Sequence, residues 1–217
     1  MGPWDIMSQH LVKRNEPPPG LSSFTKIRLG WITPEQAALV RPGDTGIVSL
    51  SPLSRKGETL VVKIPLPRGR YYLVENRQPI GYDRILPDSG ILILKVDPNV
   101  REGSGTVRVM NADPDSPNFS HATFRLDREN RGLFIDKADH VAVVPLWPDG
   151  KNLGVLVTTP EKGPEALRAA KTIQRVLERF PEPKGAALEK EVRDAVASFE
   201  RHDFHSSYLK AKQLLKR

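Results

Sequence analysis

Between Thr45 and Thr159 the chain never sustains a helical period. Instead TGIVSL, ETLVVKIPL, GRYYLVENR, GILILKVD, GTVRVMNA, HATFRLD, HVAVVPLW and NLGVLVTT follow one another, each rich in Val, Ile, Leu, Phe or Tyr and bounded by Gly, Pro, Asp or Asn. Eight strand-sized pieces with no helix between them leave no room for parallel crossovers, which need a dozen or more residues. The pattern predicts a mainly β domain over 33–160, an antiparallel β-sandwich or a barrel-like sheet, within a chain that is α+β overall.

Helical spacing is confined to the two ends. Residues 1–32 hold an opening loop, a PPPG turn (Pro17 to Gly20) and LSSFTKIRLGW. In that last segment Leu21, Phe24, Ile27, Arg28 and Trp31 share helical spacing, with Ser22 or Ser23 as cap. Thr33-Pro34-Glu35-Gln36 has the form of a capping box with proline at the first helical position, which predicts another short helix. After Thr159-Pro160 an apolar stripe runs through Ala166, Ala169, Ala170, Ile173, Val176, Leu177 and Phe180, and Pro181 and Pro183 stop it. A second stripe joins Leu188, Val192, Ala195, Val196 and Phe199. After a break at His202-Asp203 a third joins Phe204, Tyr208, Ala211 and Leu215. Residues 161–217 are thus an amphipathic tail, a helical hairpin or three-helix unit that docks on the sheet or serves as a dimer surface.

The net charge of +7 raises the question of nucleic acid, but the excess is diffuse: +4 in residues 161–217 and +3 in residues 1–160. No basic run and no nucleic-acid-binding motif accompanies it, so no nucleic acid partner is expected. The absence of cysteine excludes disulfides and thiolate metal sites. GILILKV, the longest aliphatic run, is too short to span a bilayer, and no charged leader with an apolar core precedes Trp4.

Familiar site motifs are missing. The histidines are His10, His121, His140, His202 and His205, and no HExxH occurs. His202 and His205 could share a metal, but they fall at a helix break with no third ligand nearby in sequence, and solvated helix-end histidines are the expectation. No GxSxG elbow, GxxxxGK[ST] loop or GxGxxG turn is present. Gly103-Ser104-Gly105 falls between two strand segments and reads as a hairpin turn. The aspartates of NADPDSPN (Asn111 to Asn118) could gather oxygens around calcium, yet the EF-hand spacing and its terminal Glu are lacking, and turn chemistry is expected there.

What stands out is a combination of segments. GPWDIMS followed by PPGLSSFTKIRLGWI, and then YYLVENRQPIGYDRILPDSGILILKVD, resembles the immune inhibitor A-type secreted zinc metallopeptidases. In that family a HExxH helix and a further ligand come first. A WDIM-like loop follows, whose methionine floors the zinc site. Met7 matches that methionine, and Trp4 and Asp5 match its neighbours. Lys26, Leu29, Gly30 and Trp31 match the next segment. Glu75, Asn76, Arg77, Asp83, Pro87, Gly90 and Asp97 match the signature of the β-region, and HATFRLDRENRGLFIDKADHVAVVPL matches its terminal part more weakly. The resemblance covers roughly residues 2–160, so that residues 1–32 read as a remnant of a catalytic domain, residues 33–160 as its β-domain, and the tail falls outside.

The departure from the family carries as much weight as the match. The zinc-binding helix is expected upstream of Gly2, where this sequence has only Met1. Such a chain keeps the floor and lacks the ligands, so no cofactor and no peptidase activity are expected of it in isolation. Two origins are compatible with this: an internal start within a longer exported protein, which is the expectation, or a genuine product kept as a non-catalytic module that binds protein or glycan, with the helices for a partner. In the first case the protein is extracellular and its partner is the catalytic segment. Trp4, Ile6, Met7 and Leu11 would then be partly exposed and residues 1–16 mobile. Within YYLVENR, period-two alternation puts Glu75 and Arg77 on one face of a strand, where a charge-assisted pair would fix the loop GYDRILPDSG.

Overall fold

A computed structural model describes residues 1–8 and 15–216. Its strands are β1 (Ala37–Leu39), β2 (Gly46–Leu50), β3 (Val61–Pro65), β4 (Tyr71–Arg77), β5 (Gly90–Val96), β6 (Val107–Met110), β7 (Phe134–Asp136), β8 (Val141–Asp149) and β9 (Asn152–Thr158). One sheet has the order β1-β3-β4-β5-β6 and the other β2-β9-β8-β7. All pairs are antiparallel except β1 with β3. That exception arises because the chain leaves β1, runs through β2 in the opposite sheet and returns to β3 in the same direction as β1. The sheets do not close on each other, so the architecture is an open sandwich.

Alternation along the strands creates the core. Val62, Ile64, Tyr72, Val74, Ile91 and Ile93 from the first sheet meet Val141, Val143, Val155 and Val157 from the second. The alternate residues point away from that layer and are covered as well. Val61, Leu73, Leu92, Leu94 and Val96 lie against Trp4, Ile32, Leu53 and Leu86. Val144, Leu146 and Leu156 lie against the helical tail. Strands covered on both faces need apolar residues at successive positions, which is why GILILKV and HVAVVPLW read as continuous runs. At one end of the sandwich the two sheets are joined by charge. Lys95 Nζ donates to Asp136 Oδ2 (2.9 Å) and Asp139 Oδ2 (2.6 Å), Tyr72 Oη donates to Asp136 Oδ2 (2.6 Å), and Arg70 forks onto Asp139.

Two details of the strand pattern differ from expectation. HATFRLD forms no strand; it contributes only an isolated bridge between Phe124 and Ile91. The Arg125 N–H turns instead to Arg131 O (2.6 Å), closing the chain into a local loop, while Thr123, Arg125 and Arg131 are bonded to Asp88. The Thr33 box opens a single 3-10 turn (Pro34–Gln36) that runs straight into β1.

The three tail helices follow their stripes closely, whereas the short first helix leaves Ile27 and Trp31 of its stripe exposed. α1 (Ser23–Arg28) is capped by the Ser22 hydroxyl. α2 (Gly163–Arg179) lies on the outer face of the second sheet through Ala166, Ala169, Ala170, Ile173 and Val176. α3 (Ala186–Glu200) and α4 (Phe204–Leu214) pack on α2, and Trp147 of β8 meets Phe199 edge to face. Asp203 caps α4, and the break before it is a left-handed residue, His202. The tail is therefore an outer layer of the sandwich. No helix among the described residues is long and apolar enough to cross a membrane.

Candidate functional site

Burying ions is expensive unless each finds an opposite charge or enough hydrogen bonds. The outer face of the first sheet buries four: Asp5, Glu75, Arg77 and Asp83 are all at most 2% exposed. Strand period places Glu75 and Arg77 together, because β4 turns every second side chain to this face. Arg77 Nη1 lies 2.9 Å from Glu75 Oε1, and its Nη2 and Nε fork onto Asp83 at 2.9 and 3.1 Å. Asp83 stands in the 3-10 turn Gly81–Asp83, so the guanidinium fixes the loop between β4 and β5. Burial alone would pull the Arg77 guanidinium down, but Glu75 and Asp83 outweigh it and hold it above its ordinary value.

The same arginine reaches the opening segment. Its Nη1 also donates to Trp4 O (2.7 Å), and its guanidinium sits 5.9 Å from the Trp4 ring centre. Trp4 is wholly buried and its indole N–H donates to Phe119 O at 2.7 Å. Asp5 completes the join. It accepts hydrogen bonds from the Met7 N–H (2.8 Å), the Ser22 N–H (3.0 Å), the Ser22 hydroxyl and the Thr25 hydroxyl (2.8 Å). Glu75 Oε2 accepts from the Ser23 N–H at 2.7 Å, and Asp83 Oδ1 from the Gly20 N–H at 3.0 Å. Glycine suits position 20, since a Cβ would stand 2.6 Å from that carboxylate oxygen, which Arg77 holds in place. Lys26, whose ammonium donates to Leu53 O (2.5 Å), is pulled down by burial against the pull of Asp83 and Glu75.

The positions that the sequence singles out divide cleanly. Trp4, Asp5, Glu75, Arg77 and Asp83 form one buried cluster. Asn76 lies on the opposite face of β4, where its amide donates to Leu50 O (2.8 Å) and ties β2 to the first sheet. Asp97 is elsewhere, its Oδ1 accepting from the backbone and side chain of Asn99 at 3.0 Å in an exposed turn. Full burial of Trp4 corrects the expectation that it is partly exposed: its carbonyl, ring and indole N–H are all engaged. Ile6 and Met7 are exposed as expected, at 41% and 76%. Leu11 and His10 lie outside the described residues. Sequence pattern did not reveal Gly20 or Thr25, because their partners are 63 and 20 positions away and nothing local marks the pairing.

Beside the Met7 turn is a cleft of about 810 Å³ lined in part by Ile6, Met7, Phe24, Arg28, Glu102 and Val107. Arg28 pairs with Glu102 across it at 2.6 Å. The residues present do not fit a zinc centre: among the described residues no three His, Cys, Asp or Glu side chains gather closely enough to hold a metal ion. His205 lies 3.2 Å from Glu165 rather than joining His202 around an ion. NADPDSPN forms turns, with the 3-10 turn Pro117–Phe119 at its end. Comparison with protein-family models, curated proteins and solved structures finds no match to this chain.

Proposed function

We propose that this chain is the non-ligand part of a metallopeptidase-like protein: a β-sandwich that holds a methionine turn as the apolar floor for a zinc-binding segment outside these 217 residues. In this reading it does not hydrolyse peptide bonds on its own. The observation that carries the reading is the contrast within four consecutive residues. Trp4 and Asp5 are anchored in the buried charge cluster, whereas Ile6 and Met7, directly after them, present apolar side chains to solvent. A turn held this firmly with an apolar tip fits a surface made to be covered. Among the described residues, five of the eleven exposed large hydrophobics, Ile6, Met7, Ile27, Leu29 and Trp31, fall in the same opening segment, which supports the same reading.

The purified chain tests it directly. After incubation with zinc and desalting, it should retain no stoichiometric metal and should leave casein intact. Tightly held zinc together with casein cleavage by this chain alone would contradict the reading.

A further inference from the structure

A second concavity lies where the β4–β5 loop region, β8 and α2 converge, and encloses about 430 Å³. Its floor is apolar, with Phe124, Leu126, Leu146 and Leu153, and Trp147 stands in its wall. A bulge shapes it. Pro145 pairs with Val155 and Pro148 with Leu153, so Leu146 and Trp147 face Gly154 alone. Because β7 pairs with β8 only as far as Val143, the stretch from Val144 to Trp147 has a strand neighbour on one side only.

The polar lining decides what could enter. Arg125 is neutralised by a two-pronged bond to Asp127 (2.9 and 2.8 Å) and gives its remaining terminal nitrogen to Asp88 and Ser89. Gln78 spends its amide nitrogen on Lys151 O (2.8 Å) and Asn76 Oδ1 (3.3 Å), and Gln174 donates to Glu178 Oε1 (2.8 Å). The carbonyl oxygens of both glutamines and the second oxygen of Glu178 accept no hydrogen bond from the described residues. Asp127 and Glu178 against Arg125 leave the lining one negative charge in excess, in a chain whose net charge is +7. The site therefore offers an aromatic wall, an apolar floor and surplus acceptors. A planar cation on an apolar stem matches all three, since guanidinium forks onto oxygen pairs and stacks on aromatic rings at a smaller desolvation penalty than ammonium.

We propose that this cleft binds the arginine side chain of an extended peptide, with Glu178, Gln174 and Gln78 accepting from the guanidinium and Trp147 packing against it. The stretch from Pro145 to Trp147, which lines the cleft, would run beside the peptide's main chain. The test is a titration of the full chain, ¹⁵N-labelled, with acetyl-Gly-Arg-Gly-amide, following the Trp147 indole signal. A saturable shift of that signal is expected, with the Trp4 and Trp31 indoles unmoved. The peptide carrying neutral citrulline in place of arginine should produce no saturable shift. Glu178→Gln, an exposed change on α2, should weaken binding about fivefold while leaving the melting temperature unchanged, and Gln174→Ala should weaken it as well. No saturable shift, equal affinity for the citrulline peptide, or full affinity in both variants would overturn the proposal.

Discussion

Arg77 has no exposed surface, and a guanidinium in that position is tolerated only because two carboxylates and a carbonyl surround it. Replacing it with methionine, an unbranched but smaller side chain, leaves Glu75 and Asp83 buried with the Ser23 and Gly20 N–H donors but without their counter-ion. Arg77→Met should cost about 3–5 kcal/mol and lower the melting temperature by roughly 10 °C in a chain of this size. Adding Glu75→Gln and Asp83→Asn should recover part of the loss, and a thermal melt of the three-fold variant checks this. A second residue-scale prediction concerns Asp136. Burial pushes its carboxyl up, but the Tyr72 hydroxyl, Lys95 and the Asp139 N–H outweigh burial and hold it well below the usual carboxylate range. A depressed carboxylate stabilises the fold fully above its unfolded value of about 4 and loses that contribution as pH falls toward the folded value. Melting temperature should therefore drop more steeply from about pH 4 downward in the wild type than in Asp136→Asn. Parallel slopes would count against the role given to Asp136. At this scale the sequence was readable where chemistry followed strand period, as with Glu75 and Arg77. It was silent where a partner came from a distant loop, as with Gly20 and Thr25 against Asp83 and Asp5.

At the scale of elements, long periodic segments could be read and three-residue ones could not. The stripes of α2, α3 and α4 and the runs that became β3, β4, β5, β8 and β9 are visible because burial repeats along them. β1 and β7, at three residues each, are defined by their neighbours in the sheets rather than by any pattern of their own. HATFRLD has strand composition but joins no sheet, since its polar side chains and the Arg125 N–H are claimed by Asp88 and by the loop that ends at Arg131. The close packing of that segment on β5 makes Gly90 critical. Its φ is +143°, and a Cβ there would meet Phe124 O at 2.7 Å. Gly90→Ala should destabilise by on the order of 2 kcal/mol, measurable by chemical denaturation. The tail gives a further prediction. Removing residues 161–217 would uncover Val144, Leu146 and Leu156, so sedimentation should show the shortened chain self-associating, whereas a stable monomer with an unchanged melting temperature would mean that the helices are not part of the core.

For the molecule as a whole, the layers run from opening segment to first sheet, second sheet and helices, and two charged groupings join them. The Lys95, Asp136 and Asp139 set binds sheet to sheet; Arg77 and its carboxylates bind the opening segment to the sandwich. Two segments that the sequence singles out, WDIM and VENR, meet in one buried cluster, and the apolar tip of the first stays outside it. The account rests on that anchoring, and the Trp4 indole N–H, bonded to Phe119 O, reports on it. Hydrogen exchange followed by NMR should find this proton protected as strongly as the amides of β4 and β5, and far more strongly in the wild type than in Arg77→Met. Exchange of the Trp4 indole as fast as that of exposed Trp31 would contradict the account.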